Sequence, residues 1–575
     1  MNTEVRWDVA IIGGGPAGST AATMLKKYAP HLNVCIVERE KFPREHVGES
    51  QLPPISLVLD EMGVWDKVEA AGFPIKIGAT YRWGSSDDLW DFEFLNGKQF
   101  QDEPRPAKFE GQRKETAFQV DRAIYDKILL DHAASLGTHV REETRVTEIQ
   151  KDGDRITGLI LDGNEKLEAR YYLDATGNVG LMRRAMGVEV DCPTSLKNIA
   201  IWDYWENAEW AVKIGVGGTR VQVMSIGYGW LWFIPMGPTR TSLGLIVPAE
   251  HYKKTGMSPE EIYLDAISRE PLITKLTENA TREGVVRATK DWSFVSKRLV
   301  GENWFLTGEA AGFADPILAA GMTLAHIGAK ECAYTILELE RGEHDAEWLR
   351  HQYEDRQQKK IWQHIRFADY WYTHNTHFTD LQAHTADIAR DAGIELDSKK
   401  AWQWLGTGGF IGDDLSIAGF AGFNLDSMHV LRQLLQDERE KWEIEKFNVI
   451  KLNLEGAEQK NIAHYAAGRI QRIPAWTRDK SMLPMTGTFR VVVTTLQRHS
   501  EIDAIMEHLE KTFVANPRFG SVPDAMRSAI QSLEALLMEG WAVGSFDESL
   551  PLLQPEGQRD LSFYKNTDNL QVAAL

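Results

Sequence analysis

The hexapeptide Gly13-Gly14-Gly15-Pro16-Ala17-Gly18 constrains this chain more than any other stretch. It follows an apolar run, Val9-Ala10-Ile11-Ile12, and precedes small residues from Ser19 to Leu25 that read as helix. The order is strand, glycine turn, helix. Gly13 permits the tight turn, Gly15 lets the backbone approach a pyrophosphate, and Gly18 lets helix and strand pack closely. Pro16 and Ala17 open the helix, whose N-terminal amides face phosphate oxygens. A second strand, Asn33 to Val37, ends at Glu38. A carboxylate there binds ribose hydroxyls and repels a 2′-phosphate. Together these features predict a dinucleotide-binding βαβ unit.

The 575 residues allow several domains. A net charge of −19 argues against nucleic acid as a partner. Cys35, Cys192 and Cys332 show no metal-ligand spacing, so no metal is expected and a reduced, cytoplasmic setting fits best. The N-terminus enters a strand by Asp8, which predicts no signal peptide, and no uncharged run approaches a membrane span.

Further along, Arg122 heads a helix with apolar Ile124, Ile128, Leu129 and Ala133. Strands over 145–150 and 155–161 flank an Asp152-Gly153 turn, and a third runs into Asp174-Ala175-Thr176-Gly177. Residues 200–248 alternate aromatic and polar side chains, as an antiparallel sheet does. Ser258-Pro259-Glu260-Glu261 predicts a capping box. The aromatics of 362–372 read as packing residues. Phe489 to Thr495 reads as a β-rich run, ahead of two helices near 502–514 and 524–538.

Three distant pieces converge: the glycine loop with Glu38, Arg122 at its helix head, and Gly308-Glu309-Ala310-Ala311-Gly312-Phe313-Ala314-Asp315-Pro316 ahead of Gly321-Met322. Together they resemble the FAD-binding fold of class A flavin monooxygenases and their relatives. The resemblance implies FAD, with Arg122 on its flavin side, Glu309 at the ribityl chain, and the helix at Gly321 and Met322 facing the pyrimidine end. It implies an α/β fold: a GR2-type Rossmann-like FAD domain (1–78, 110–190, 285–375), an inserted antiparallel-sheet substrate domain (79–109, 191–284), and a mainly helical C-terminal domain (376–575), winged-helix-like near 488–547.

Within that superfamily, Gly229-Trp230-Leu231-Trp232-Phe233-Ile234-Pro235 resembles the WxWxIP motif of flavin-dependent halogenases. There Trp230, Trp232 and Pro235 would wall the flavin from the organic substrate. Oxygen is then not inserted into substrate carbon, and chloride or bromide is oxidised to hypohalous acid instead. Lys76, in a segment after Val47-Gly48-Glu49-Ser50, resembles the halogenase lysine that hydrogen-bonds this acid or carries its halogen. Burial would lower its pKa. Glu49 and Arg44 are similar to flavin-side contacts. Asp291-Trp292-Ser293-Phe294 resembles the halogenase segment beside the flavin ring, which leaves covalent attachment of FAD open.

Two departures stand out. Glu309 replaces the family's aspartate, and Ala319 replaces its serine. The halide would then rest on the backbone amides of Gly321 and Met322. Gly406-Thr407-Gly408-Gly409 lacks the strand and acid of a second nucleotide site, so a separate flavin reductase is the expected partner. The other expected partner is an electron-rich small molecule or carrier-protein-tethered substrate of natural-product biosynthesis. Three alternatives stay open: a reductase of the geranylgeranyl-reductase kind, an aromatic hydroxylase, and a silent flavoprotein that binds a carrier domain.

Overall fold

The computed structural model describes residues 7–84, 87–94, 113, 115–215, 217–391, 442–478, 481–553 and 563–565. The Gly406–Gly409 turn and the 95–109 part of the expected insertion lie outside them. The chain divides into two compact units, 1–393 with 562–575, and 394–561.

In the first unit the glycine loop joins β1 (Trp7–Ile12) to α1 (Pro16–Tyr28), and β2 (Val34–Val37) follows. Next come β3 (Ile75–Arg82), β4 (Ala117–Phe118), α2 (Arg122–Ser135), β5 (His139–Arg141) and β6 (Ala169–Asp174). Four long strands are β7 (Lys197–Glu206), β8 (Gly218–Ile226), β9 (Gly229–Pro235) and β10 (Arg240–Pro248). Strands β11 (Arg287–Trp292) and β12 (Trp304–Leu306) lead to helices α3 (Ala320–Arg341) and α4 (Ala346–Thr373).

Two sheets organise this unit. The first is parallel, in the order β12-β6-β1-β2-β5. Val9, Ala10, Ile11, Cys35, Ile36 and Leu173 are wholly buried in it, because strands covered on both faces carry continuous apolar runs. The second runs β7-β10-β9-β8-β3, antiparallel except where β8 meets β3. The expected α/β architecture, with a Rossmann-like core and an antiparallel sheet, is what the chain forms. The capping box is also present. Ser258 Oγ accepts from Glu261 N at 3.3 Å, and Glu261 Oε2 accepts from Ser258 N at 2.7 Å.

Among its described residues, the second unit holds helices α5 (Gly487–Leu496), α6 (Ile502–Val514) and α7 (Val522–Met538) beside antiparallel strands of four to ten residues. Two features differ from the expectation: Glu458–Ala466 and Arg469–Arg478 form an antiparallel hairpin in a part expected as mainly helical, and α5 covers the run expected as β. Phe489, Val492, Val493 and Leu496 are its buried apolar residues, at helical spacing. That period outweighs the β-branched composition. No described helix is long and apolar enough to cross a membrane.

Candidate functional site: a nucleotide cradle and a tryptophan-lined sheet

The glycine loop is built by exclusion of side chains. Gly13 has φ +105°, and a Cβ there would collide with the Ala175 carbonyl at the end of β6. A Cβ on Gly18 would collide with the Gly13 carbonyl. Only glycine closes this turn. Glu38 leaves β2 and accepts from Gly14 N at 2.7 Å and from Glu40 N at 2.8 Å. Its carboxylate thus holds the loop as well as facing the cradle.

Arg122 and Arg44 meet on a residue not singled out from the sequence. Asp126, one turn along α2, accepts from Arg122 Nε at 2.8 Å and Nη2 at 3.0 Å, and pairs with Arg44 Nη1 at 3.2 Å. Asp126 is wholly buried. The i,i+4 spacing of Arg122 and Asp126 is the signal that identifies it. Arg122 Nη1 then donates to the carbonyls of Val47 at 2.9 Å and Gly48 at 3.2 Å. The arginine fork fixes the loop that carries Glu49. Glu49 accepts from Tyr204 Oη at 3.2 Å, and burial pushes its pKa up.

Gly13, Gly15, Pro16, Ala17, Glu38, Arg44, Arg122, Glu309, Gly321 and Met322 line one cavity of about 560 Å³. Of the expected cofactor residues, Glu49 and Asp291 are not among its lining. Gly18 packs behind it, in α1. Burial raises the pKa of Glu309, and the nearby Arg122 opposes that rise. Gly321 and Met322 begin α3, so unpaired amides of a 22-residue helix point toward the cavity. Ala319, in place of serine, takes the left-handed turn before that helix, with φ +55°. Asp291 lies on β11, its Cα opposite Asn198 of β7.

Trp230, Trp232, Pro235 and Lys76 do not line this cavity. They sit on the second sheet. Trp230 and Trp232 share one face of β9, ring centroids 6.2 Å apart. Trp232 lies over Gly244, where a Cβ would collide with its ring, and donates to Ser242 Oγ at 3.0 Å. Trp230 Nε1 donates to Tyr372 Oη at 2.6 Å. Tyr372 Oη donates in turn to the Asp315 carboxylate, 3.2 Å from each oxygen. Asp315 also accepts from Asn198 Nδ2 at 3.0 Å and Ile317 N at 2.9 Å, and burial lifts its pKa to about 6. The aromatics of 362–372 do pack, as expected, but Tyr372 also ties the tryptophan strand to the loop before α3. Pro235 closes β9 opposite Thr241.

Lys76 reads from sequence as part of a segment between glycines, but it lies on strand β3. Its Cα faces Thr219 of β8 and Ala117 of β4. It is 2% exposed, and burial alone pushes its pKa down to about 7. Thr219, Val221 and Val223 alternate on one face of β8, and Val223 pairs with Trp232. Lys76 therefore shares a sheet face with the two indoles.

The parallel sheet, the glycine loop and the arginine-bearing cradle define a dinucleotide-binding flavoprotein. Residues 6–368 match the family model described as FAD binding domain. A tryptophan 2-halogenase of Chondromyces crocatus is 33% identical over 59% of this chain and 62% of its own length. The chain thus spans under two thirds of that relative. A 1H-pyrrole-2-carbonyl-(peptidyl-carrier protein) chlorinase of Pseudomonas fluorescens is 31% identical over 58% of this chain and 76% of its own. Among solved structures, the halogenase CmlS shares the fold with a TM-score of 0.70 and 24% identity, over 97% of this chain and 99% of that one. The myxobacterial chondrochloren halogenase CndH gives a TM-score of 0.60 and 27% identity, over 75% and 93%. The chain belongs to the FAD-binding-domain family and, within it, to the flavin-dependent halogenases.

Proposed function

We propose that this protein is a halogenase that uses FADH2, O2 and chloride or bromide to form hypohalous acid and halogenate an electron-rich substrate. One observation carries the reading. Lys76 is a buried lysine on the sheet face that bears Trp230 and Trp232, outside the nucleotide cradle. Burial pushes the pKa of that amine down to about 7, the kind of perturbation that functional sites carry.

The cradle fits FAD. Its glycines leave room for a pyrophosphate, and Arg44 and Arg122 supply positive charge. Reduced FAD held there would supply the two electrons that, with O2 and a proton, convert halide to hypohalous acid and water. The chain's residues do the rest. Glu38 takes the ribose side, Arg122 and Arg44 the flavin side with Glu49, and Glu309 the ribityl chain. Gly321 and Met322 amides hold the halide; with Ala319 in place of serine, backbone alone serves it. Asp291 is the residue beside the ring. Trp230, Trp232 and Pro235 keep substrate from the cofactor, and Lys76 hydrogen-bonds the acid and directs its halogen.

FADH2 would come from a separate flavin reductase. The substrate would be a small molecule or a carrier-protein-tethered group in natural-product biosynthesis, in the cytoplasm. The domain roles follow: the FAD domain over 1–78, 110–190 and 285–375, and the substrate side over 79–109 and 191–284. The part from 376 is a separate C-terminal domain, with a winged-helix-like unit near 488–547.

The test supplies the protein with chemically reduced FAD, O2 and each halide, with monochlorodimedone as trap. Halide-dependent halogenation of the trap is expected. Lys76→Ala should still halogenate the trap but lose enzyme-directed product by at least tenfold. No halogenated trap from the wild type would refute the assignment.

A further inference from the structure

Ser50 and Gln119 face each other across an antiparallel bridge. Gln51 N donates to Phe118 O at 3.1 Å, and Val120 N donates to Glu49 O at 2.8 Å. These two bonds flank the bridge, so Ser50 and Gln119 form a non-hydrogen-bonded pair with side chains close together on one face. Gln119 N also donates to Pro74 O at 3.0 Å, and Ala117 pairs with Lys76. Ala117 and Gln119 alternate to the same side of their strand. Lys76, Gln119 and Ser50 therefore project from a single face.

What these side chains lack is informative. Ser50 Oγ and both amide atoms of Gln119 are buried, with no hydrogen-bond partner among the described residues. Gln119 is 0% exposed and Ser50 is 8% exposed. Burying such groups unpaired is unfavourable. A chain retains them where a ligand or water completes them. None of the three residues lines the nucleotide cavity, so the cofactor's pyrophosphate and ribose sides do not explain them.

The chemistry of the trio limits the ligand. An amide and a hydroxyl each donate and accept, and neither carries charge. Burial pushes the pKa of Lys76 down, and its Nζ lies 5.6 Å from the centroid of the Phe94 ring. The fitting ligand is small, neutral, and both donor and acceptor. A hypohalous acid has one O–H and free lone pairs on that oxygen.

We propose that Gln119, with Ser50 beside it, is a hydrogen-bonding arm of the Lys76 site and holds hypohalous acid against the lysine. This rests on the halogenase reading above. The acid's O–H donates to Gln119 Oε1 while an N–H of Lys76 Nζ donates to its oxygen. Holding it makes and breaks no covalent bond.

The experiment follows where the oxidant goes. Protein is supplied with chemically reduced FAD, O2 and bromide, then passed rapidly through a desalting column. Oxidising halogen that travels with protein and halogen left free are both titrated with monochlorodimedone. FAD affinity is measured by quenching of flavin fluorescence. Gln119→Leu should bind FAD within twofold of wild type, while its retained-to-free ratio falls at least fivefold. Ser50→Ala should lower that ratio at least twofold, and it carries the test alone if Gln119→Leu fails to fold. An unchanged ratio in the variants, or a wild type that retains nothing, overturns the proposal. A tenfold loss of FAD affinity in Gln119→Leu also overturns it and makes Gln119 a flavin contact. A wild type that forms no free or retained hypohalous acid refutes the halogenase reading itself, and the proposal falls with it.

Discussion

The indole nitrogen of Trp230 donates to the hydroxyl of Tyr372 at 2.6 Å, and that hydroxyl donates onward to Asp315. One phenol thus joins the tryptophan strand to the loop that precedes Gly321 and Met322. Tyr372→Phe keeps the ring and deletes the link. It leaves a buried indole N–H without its acceptor, at a cost of roughly 1–3 kcal/mol. The first unfolding transition in urea should shift to lower concentration by the corresponding amount. The halide KM should rise more than kcat falls, because the loop loosens while the chemistry is untouched. An unchanged KM would separate this hydrogen bond from the halide loop.

Gly18→Ala tests the cradle directly. The new Cβ would collide with the Gly13 carbonyl, a backbone atom that has no room to retreat. Overpacking of this sort costs roughly 1–3 kcal/mol. The larger effect falls on the loop, which must open. The purified variant should lack the yellow flavin absorbance of the wild type and regain little on adding FAD. Gly237→Ala, where a Cβ meets nothing within 4 Å and which does not line the cavity, is the control for a tolerated glycine change.

Arg122→Lys removes the planar fork that grips Asp126 and the carbonyls of Val47 and Gly48. An ammonium cannot reproduce that geometry. Losing charge-assisted bonds to Asp126 costs about 1.5–3 kcal/mol. If the loss is expressed in ligand binding, FAD affinity falls by about tenfold or more. Fluorescence titration measures it. Affinity equal to wild type would show that the fork serves stability alone.

Much of this site was legible in the residues, and the illegible parts share a cause. Glycine positions, Glu38 and Arg122 carry short-range signals, each beside its own strand, turn or helix head. Asp126 is hard to single out although it lies four residues from Arg122, because a helix-interior aspartate reads as ordinary surface. Tyr372 and Gln119 were missed as partners for a different reason. Their roles depend on contacts across 142 residues to Trp230 and across the bridge to Ser50. No local pattern encodes such pairings. In α5 the helical period outweighs the β-branched composition. Phe489, Val492, Val493 and Leu496 carried the helical spacing throughout.

Lys76 makes a prediction whose sign follows from linkage. Burial lowers its folded pKa from 10.5 to about 7. Below that value both folded and unfolded chains carry the proton, and the folded state bears the full cost of a buried ammonium. Between the two pKa values the unfolded chain keeps a proton that the folded chain has released, so stability rises with pH. Lys76→Met keeps the length of the side chain and removes the charge. It should stabilise the protein by roughly 4–5 kcal/mol at about pH 6, and by only roughly 2 kcal/mol at about pH 9. Urea unfolding of both proteins at the two pH values measures the difference, with the flavin-free form used so that ligand binding does not enter. A gain that does not change with pH would mean that Lys76 stays protonated in the folded chain. The neutral amine would then be absent at working pH, and Lys76 could act on hypohalous acid only as a hydrogen-bond donor.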